Sequence, residues 1–158
     1  MGLFFRLFIP ELDRFFSMVL TKVGDREFIH AFMDVLVHTP SVYAVETLEH
    51  IYAAADDELR LEVLTAMGKM SDFDAGFLSK VMREAGVLLR REALQILYND
   101  RNTRVAALEQ FFLLDNPWGS RNAVVLENLA IAEELDIREA AGVVTELAKQ
   151  TPFWNFPV

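Results

Sequence analysis

The sequence predicts an all-α fold, a short α-solenoid of antiparallel helix pairs with about nine helices. Three observations lead there. Leu59-Arg60-Leu61-Glu62-Val63-Leu64 and Leu89-Arg90-Arg91-Glu92-Ala93-Leu94 repeat the order Leu, Arg, Glu, Leu about thirty residues apart, an interval typical of stacked helical units. Each copy opens a segment whose apolar residues recur at helical spacing: Leu59, Val63, Met67 and Met70 in the first, Leu89, Ala93, Ile96 and Leu97 in the second. Residues so spaced share one face of a helix. Between the copies lies a further helix-sized segment, Phe73–Glu84, with Phe77, Leu78, Val81 and Met82 on its apolar side. A single helix cannot bury such a stripe, whereas stacked antiparallel pairs can.

The remaining elements follow from punctuation. Gly2–Ile9 is almost wholly apolar, broken only by Arg6. It lacks the pattern of a secretory signal, and Arg6, Pro10, Glu11, Asp13 and Arg14 interrupt it well short of the ~20 apolar residues of a membrane span. Leu3, Phe4, Leu7 and Phe8 are expected to cover an open end of the stack; the alternative is contact with a partner or a membrane surface. Pro10 suits a first helical turn, followed by Glu11 and Asp13 where the helix dipole favours acids. That helix runs to about Lys22 and stops at Gly24. Asp25 is placed to cap a helix over Arg26–Val37. Thr39-Pro40-Ser41 is a break, and Ser41 opens a helix to about Ala54. Asp56 and Asp57 lead into the first copy of the repeat, and Asp72 or Asp74 into Phe73–Glu84. Asn99–Asn102 reads as a turn before a helix over Thr103–Leu114 with Val105, Leu108, Phe111 and Phe112 inward. Asp115-Asn116-Pro117-Trp118-Gly119 is the strongest loop signal. Ser120 opens a helix holding Val124, Val125, Leu129 and Ala132, and Ile137–Lys149 is the last. Thr151–Val158 is extended by its two prolines, with Phe153, Trp154 and Phe156 either folded back as a cap or presented as a docking segment.

A third copy of the pattern, Asp136-Ile137-Arg138-Glu139-Ala140-Ala141, brings a family into view. An Asp, an aliphatic-Arg pair, then Ala and Leu-type residues opening a second helix resembles the HEAT repeat. The resemblance covers about half the chain and departs from regularity between Arg91 and Arg138, where an extra helix or an armadillo-like three-helix unit fits the spacing. It implies a single HEAT-like domain over residues 1–158 and a packing arrangement without a fixed chemistry. By the same resemblance, the partner is another protein.

Length and composition narrow the classes. At 158 residues the chain is long enough for a true core. Hydrophobic residues make up 53% and charged residues 25%, which fits a folded protein and excludes disorder. There is no Cys, so disulfides, thiolate catalysis and zinc–thiolate sites are excluded. That fits a reducing compartment, and a cytoplasmic location is expected. The net charge of −9 disfavours general nucleic-acid binding. The segment from Lys80 to Arg121 is locally richer in Arg, interleaved with Glu84, Glu92, Asp100, Glu109 and Asp115. It reads as a salt-bridged solvent face or, more sharply, as a basic groove for an acidic partner.

Candidate chemistry is sparse. His30, Asp34 and His38 step by four along one helix, and Glu46 and His50 share that spacing on the next, a geometry able to hold a divalent ion. The signal is weak and a polar outer face accounts for them better, so no metal or other cofactor is expected. The carboxylate pairs Asp56/Asp57, Asp72/Asp74 and Glu133/Glu134 sit at helix ends, where capping and solvation explain them. No serine has a nucleophile-elbow context and no glycine cluster forms a phosphate loop. The expected function is therefore a non-enzymatic protein-binding or scaffolding module. Its anchors would be Arg90, Arg104, Trp118, Phe153, Trp154 and Phe156. The alternatives are a membrane-associated regulatory domain, contacting lipid through Gly2–Ile9, and a HEAT-like enzyme acting on nucleic-acid bases through a groove joining Arg90, Arg104 and Trp118.

Overall fold

A computed structural model describes residues 18–19, 21–22, 24–38, 42–112, 121–142 and 145. Among them the protein is all helical. Seven helices run in order: α1 (Arg26–Val37), α2 (Val42–Ala54), α3 (Asp57–Met67), α4 (Ala75–Glu84), α5 (Val87–Asn99), α6 (Arg104–Phe112) and α7 (Arg121–Glu134). Each overlies a helix expected from the sequence. The first expected helix falls largely, and the last about half, outside the described residues, although Met18, Val19 and Thr21, and the run Glu139 to Gly142, are helical. The chain divides into two compact units, Met1–Asp74 and Ala75–Val158.

In the first unit, α1 packs against both α2 and α3, and α2 packs most extensively on α3. The Asp25 side chain accepts a hydrogen bond from the Phe28 N–H at 3.2 Å and starts α1. Asp56 does the same for α3 through the Leu59 N–H at 3.0 Å, so both aspartates satisfy N–H groups that a helix start leaves unpaired. Arg26 Nη2 also bridges both Asp56 carboxylate oxygens at 2.9 and 2.8 Å, tying the start of α1 to that of α3. Four residues on, His30 meets Glu62. Contacts that advance together along both helices show that α1 and α3 run in the same direction. The core beneath them holds Ile29, Met33 and Leu36 from α1, Ala44, Val45, Leu48 and Ile51 from α2, and Leu59, Val63, Leu64, Ala66 and Met67 from α3. Thr47 is buried as well, and its hydroxyl donates to the Tyr43 carbonyl one turn back at 2.6 Å, which removes the cost of an unmatched polar group.

In the second unit, α4 packs on α5 and α6, α5 on α6, and α6 on α7. Leu78, Val81 and Met82 of α4 meet a core of Leu89, Ala93, Leu94, Ile96 and Leu97 from α5. Ala107, Leu108, Phe111 and Phe112 follow from α6, with the two Phe rings set edge to face at 5.3 Å. Val105 is not part of it. It was expected inward, but it stands 66% exposed, because the inward stripe of α6 begins two residues later at Ala107. The helix α7 ends in a Schellman motif: the Ile137 N–H reaches the Ala132 carbonyl and the Asp136 N–H reaches Glu133. Asp136 accordingly takes φ 51°, the left-handed region that Asp tolerates better than most residues. Ile137 is buried beside this turn while Arg138 is exposed, and the third copy of the pattern runs from the turn that ends α7 into the helical run 139–142.

Leu64 and Leu94 are both fully enclosed. Leu64→Ala and Leu94→Ala are each expected to cost ~2–5 kcal/mol in urea-unfolding titrations, as buried Leu truncations do. Val105→Ala is expected to stay within ~0.5 kcal/mol of the parent.

Candidate functional site

The parallel course of α1 and α3 leaves an open groove of about 690 Å³ between them. His30, Met33, Asp34, Val37 and His38 line it from α1, and Leu61, Glu62, Thr65, Ala66 and Lys69 from α3 and its end. The α1 residues fall at successive steps of three, one, three and one, which is one face of a helix over about two turns, roughly 12 Å of length. Met33 and Ala66 are buried and form the floor, with Val37 and Leu61 half-buried beside them. The polar side chains stand at the rim. His30 Nε2 lies 2.5 Å from Glu62 Oε2, an oxygen closed off from solvent. His38 Nδ1 lies 2.7 Å from the Asp34 carbonyl and 3.9 Å from the Asp34 carboxylate.

The histidines and acids singled out from the sequence are thus distributed in a particular way. His30, Asp34 and His38 do share the groove, while Glu46 and His50 lie on α2, where His50 Nδ1 is 2.7 Å from the Glu46 carbonyl. Among the described residues no three His, Asp or Glu side chains converge as metal ligands would. Of the acid pairs, Asp56 caps α3, Asp57 meets Arg60 at 3.2 Å, and Glu134 meets Arg91 at 3.0 Å. The Leu59 N–H, and then Arg26, hold the Asp56 carboxyl below the ordinary carboxylate value. Glu49 moves the other way. Burial first, then the nearby Asp74 and Glu46, raise its pKa, partly offset by His50. Sequence reading missed Glu49, because nothing in the local pattern shows that Asp74, distant along the chain, comes beside it.

The proposed arginine anchors have different fates. Arg90 is 8% exposed. Its Nη1 donates to Asn128 Oδ1 and its Nη2 to Glu127 Oε2, both at 3.0 Å, and Asn128 in turn donates to the Phe111 carbonyl at 2.7 Å. Asn128 itself is 1% exposed, so a buried polar chain joins α5, α6 and α7. Arg90 therefore cannot act as the surface anchor expected from the sequence. It was read as solvent-facing because it adjoins Arg91 in a mixed-charge run, and its partners lie about thirty-seven residues away. Arg104 is half-buried, donates Nε to the Tyr98 carbonyl at 2.9 Å, and stacks over the Tyr98 ring at 4.7 Å. Arg60 repeats this on Tyr52, with Nε to the carbonyl at 3.1 Å and 5.3 Å to the ring. In both cases a cation closes the carbonyl end of the preceding helix, where the dipole favours it. Trp118, Phe153, Trp154 and Phe156 lie outside the described residues, as does Gly2–Ile9.

No family model, no curated protein and no solved structure matches the chain. Among the described residues no helix is long and apolar enough to cross a membrane.

Two outcomes follow for these contacts. Asn128→Ala is expected to destabilise the protein by ~1–3 kcal/mol for each buried group left unmatched, the Arg90 Nη1 and the Phe111 carbonyl, as read by urea unfolding. Asp56→Asn keeps an oxygen for the cap but loses the charge paired with Arg26. Because the folded Asp56 pKa is lowered, its charge-dependent stabilisation is complete above the ordinary carboxylate value and is lost as pH falls through the folded one. The wild type should melt above the variant at pH ~7, and the two should converge near pH ~2.

Proposed function

We propose that the protein is a non-enzymatic protein-binding module of the helical-repeat kind, with the α1–α3 groove receiving a segment of its partner. The observation that carries this reading is the groove's construction. Its floor of Met33, Val37, Leu61 and Ala66 is apolar and open, and its rim of His30, Asp34, His38, Glu62 and Lys69 is polar. An apolar trough with polar edges is what recognition of an amphipathic helix uses: the floor supplies affinity, and the rim fixes register and orientation. Two turns of exposed trough match two turns of a docked helix. The HEAT-like pattern of the sequence supports the same reading, since helical-repeat surfaces serve as extended docking faces.

Thr65 is exposed on the α3 side of the groove, so Thr65→Trp fills the trough without disturbing the core. Affinity capture from the native source, read by mass spectrometry, is expected to lose its retained partner at least tenfold with Thr65→Trp and to keep it with Val105→Trp, a change on the exposed face of α6. Equal retention by all three forms would remove the groove from the function.

A further inference from the structure

The charge of the chain is not spread evenly. Residues 18–74 carry eleven acidic and four basic side chains, a balance of −7 out of the −9 of the whole chain. The groove lies entirely within that segment. Its α1 edge presents Asp34, whose side chain is 80% exposed and whose carboxylate lies 3.9 Å from His38 Nδ1. Glu27, exposed seven residues earlier, shares that edge. The α3 edge carries Glu62, which faces His30, and Glu58 one turn before it, which faces Arg26. Lys69 is the one lysine or arginine among the lining residues, and it stands at the far end. From this arrangement we infer that the occupant of the α1–α3 groove is a basic amphipathic segment of a protein, about two helical turns long. Its aliphatic side chains rest on Met33, Val37, Leu61 and Ala66, and its Lys or Arg residues meet Asp34.

The inference rests on the protein-binding reading and names the chemistry of the partner. Two physical effects act in the same sense. The net negative field of the segment raises the encounter rate of cationic chains and repels anionic ones. At contact, a Lys or Arg beside Asp34 gains a carboxylate that has only a weak partner of its own. The apolar floor separates this from indiscriminate attraction, since a basic chain without aliphatic residues would be drawn to the field but would not seat.

The test is a fluorescence-anisotropy titration of the full chain with three synthetic helical peptides sharing one Leu/Ala face, the other face carrying Lys, Gln or Glu. The Leu–Lys peptide is expected to bind at least tenfold tighter than the Leu–Gln peptide, and the Leu–Glu peptide to bind weakest. The preference should shrink in high salt, where charges at the rim are screened. Asp34→Lys is expected to lower Leu–Lys affinity at least tenfold while leaving Leu–Gln affinity unchanged, and Thr65→Trp to abolish binding of both. If the Gln or Glu peptide binds as well as the Lys peptide and Thr65→Trp removes them all, the basic partner is wrong and the groove reading stands. If the Lys peptide binds equally to wild type and Thr65→Trp, its attraction is to the field alone, and both the inference and the groove fall. Failure of all three peptides to bind overturns both as well.

Discussion

Burial of one apolar stripe per helix, held at a common register, is the constraint on which the rest of this protein depends. Ile29, Met33 and Leu36 of α1 are matched thirty residues on by Leu59, Val63 and Ala66 of α3, and again by Leu89, Ala93 and Ile96 of α5. All nine are enclosed. A helix of this length has little stability of its own in water, so its existence rests on what its stripe packs against. The step of four, then three, keeps each stripe facing inward over two turns. The bulk of the side chains trades off along the series, from Met33 to Val63 to Ala93, so the same register accommodates different neighbours.

Polar groups are arranged around that constraint by long-range partners. Arg60 and Arg104 each close the end of the helix before them, through a tyrosine carbonyl and a tyrosine ring. Arg90 is turned inward and is matched by Glu127 and Asn128, which also reaches the Phe111 carbonyl. Both Nη atoms of this buried guanidinium are matched, while its Nε is buried with no hydrogen-bond partner among the described residues, so α5, α6 and α7 are tied by chemistry as well as by packing. The equivalence that matters for the arginines is therefore Arg60 with Arg104. The repeat of Leu, Arg, Glu and Leu pairs Arg60 with Arg90 in sequence, yet their side chains do unrelated things.

The groove is a by-product of the same plan. The α1 and α3 helices, with α2 packed on both, leave a groove along their shared edge. The residues left along that edge are a mixture of apolar side chains too small to fill it, Val37 and Ala66 among them, and charged ones at the rim. The strongly acidic balance of residues 18–74 then gives this opening a sign as well as a shape. Shape and sign together suit a cationic, amphipathic helix better than an extended acidic chain or a small neutral molecule.

Periodicity and punctuation by themselves determined a good deal: the helical class, the approximate span of α1 through α7, most of the inward residues of α3, α4 and α5 (Phe77 and Met70 are only half-buried, and Met70 lies beyond the end of α3), and the capping role of Asp25 and Asp56. These are local matters, governed by spacing along one helix and by the first-turn N–H groups that a neighbouring carboxylate can reach. Val105 shows where locality ends, since a single apolar residue at a helix start fits either face until a neighbour chooses one. Tertiary structure alone decided that Arg90 is interior, that His30 and Asp34 edge a groove while Glu46 and His50 do not, and that burial, and then Asp74, push Glu49 up. Each of these depends on a partner dozens of residues away or on a different helix. Helical spacing records which side chains share a face, but not what that face meets.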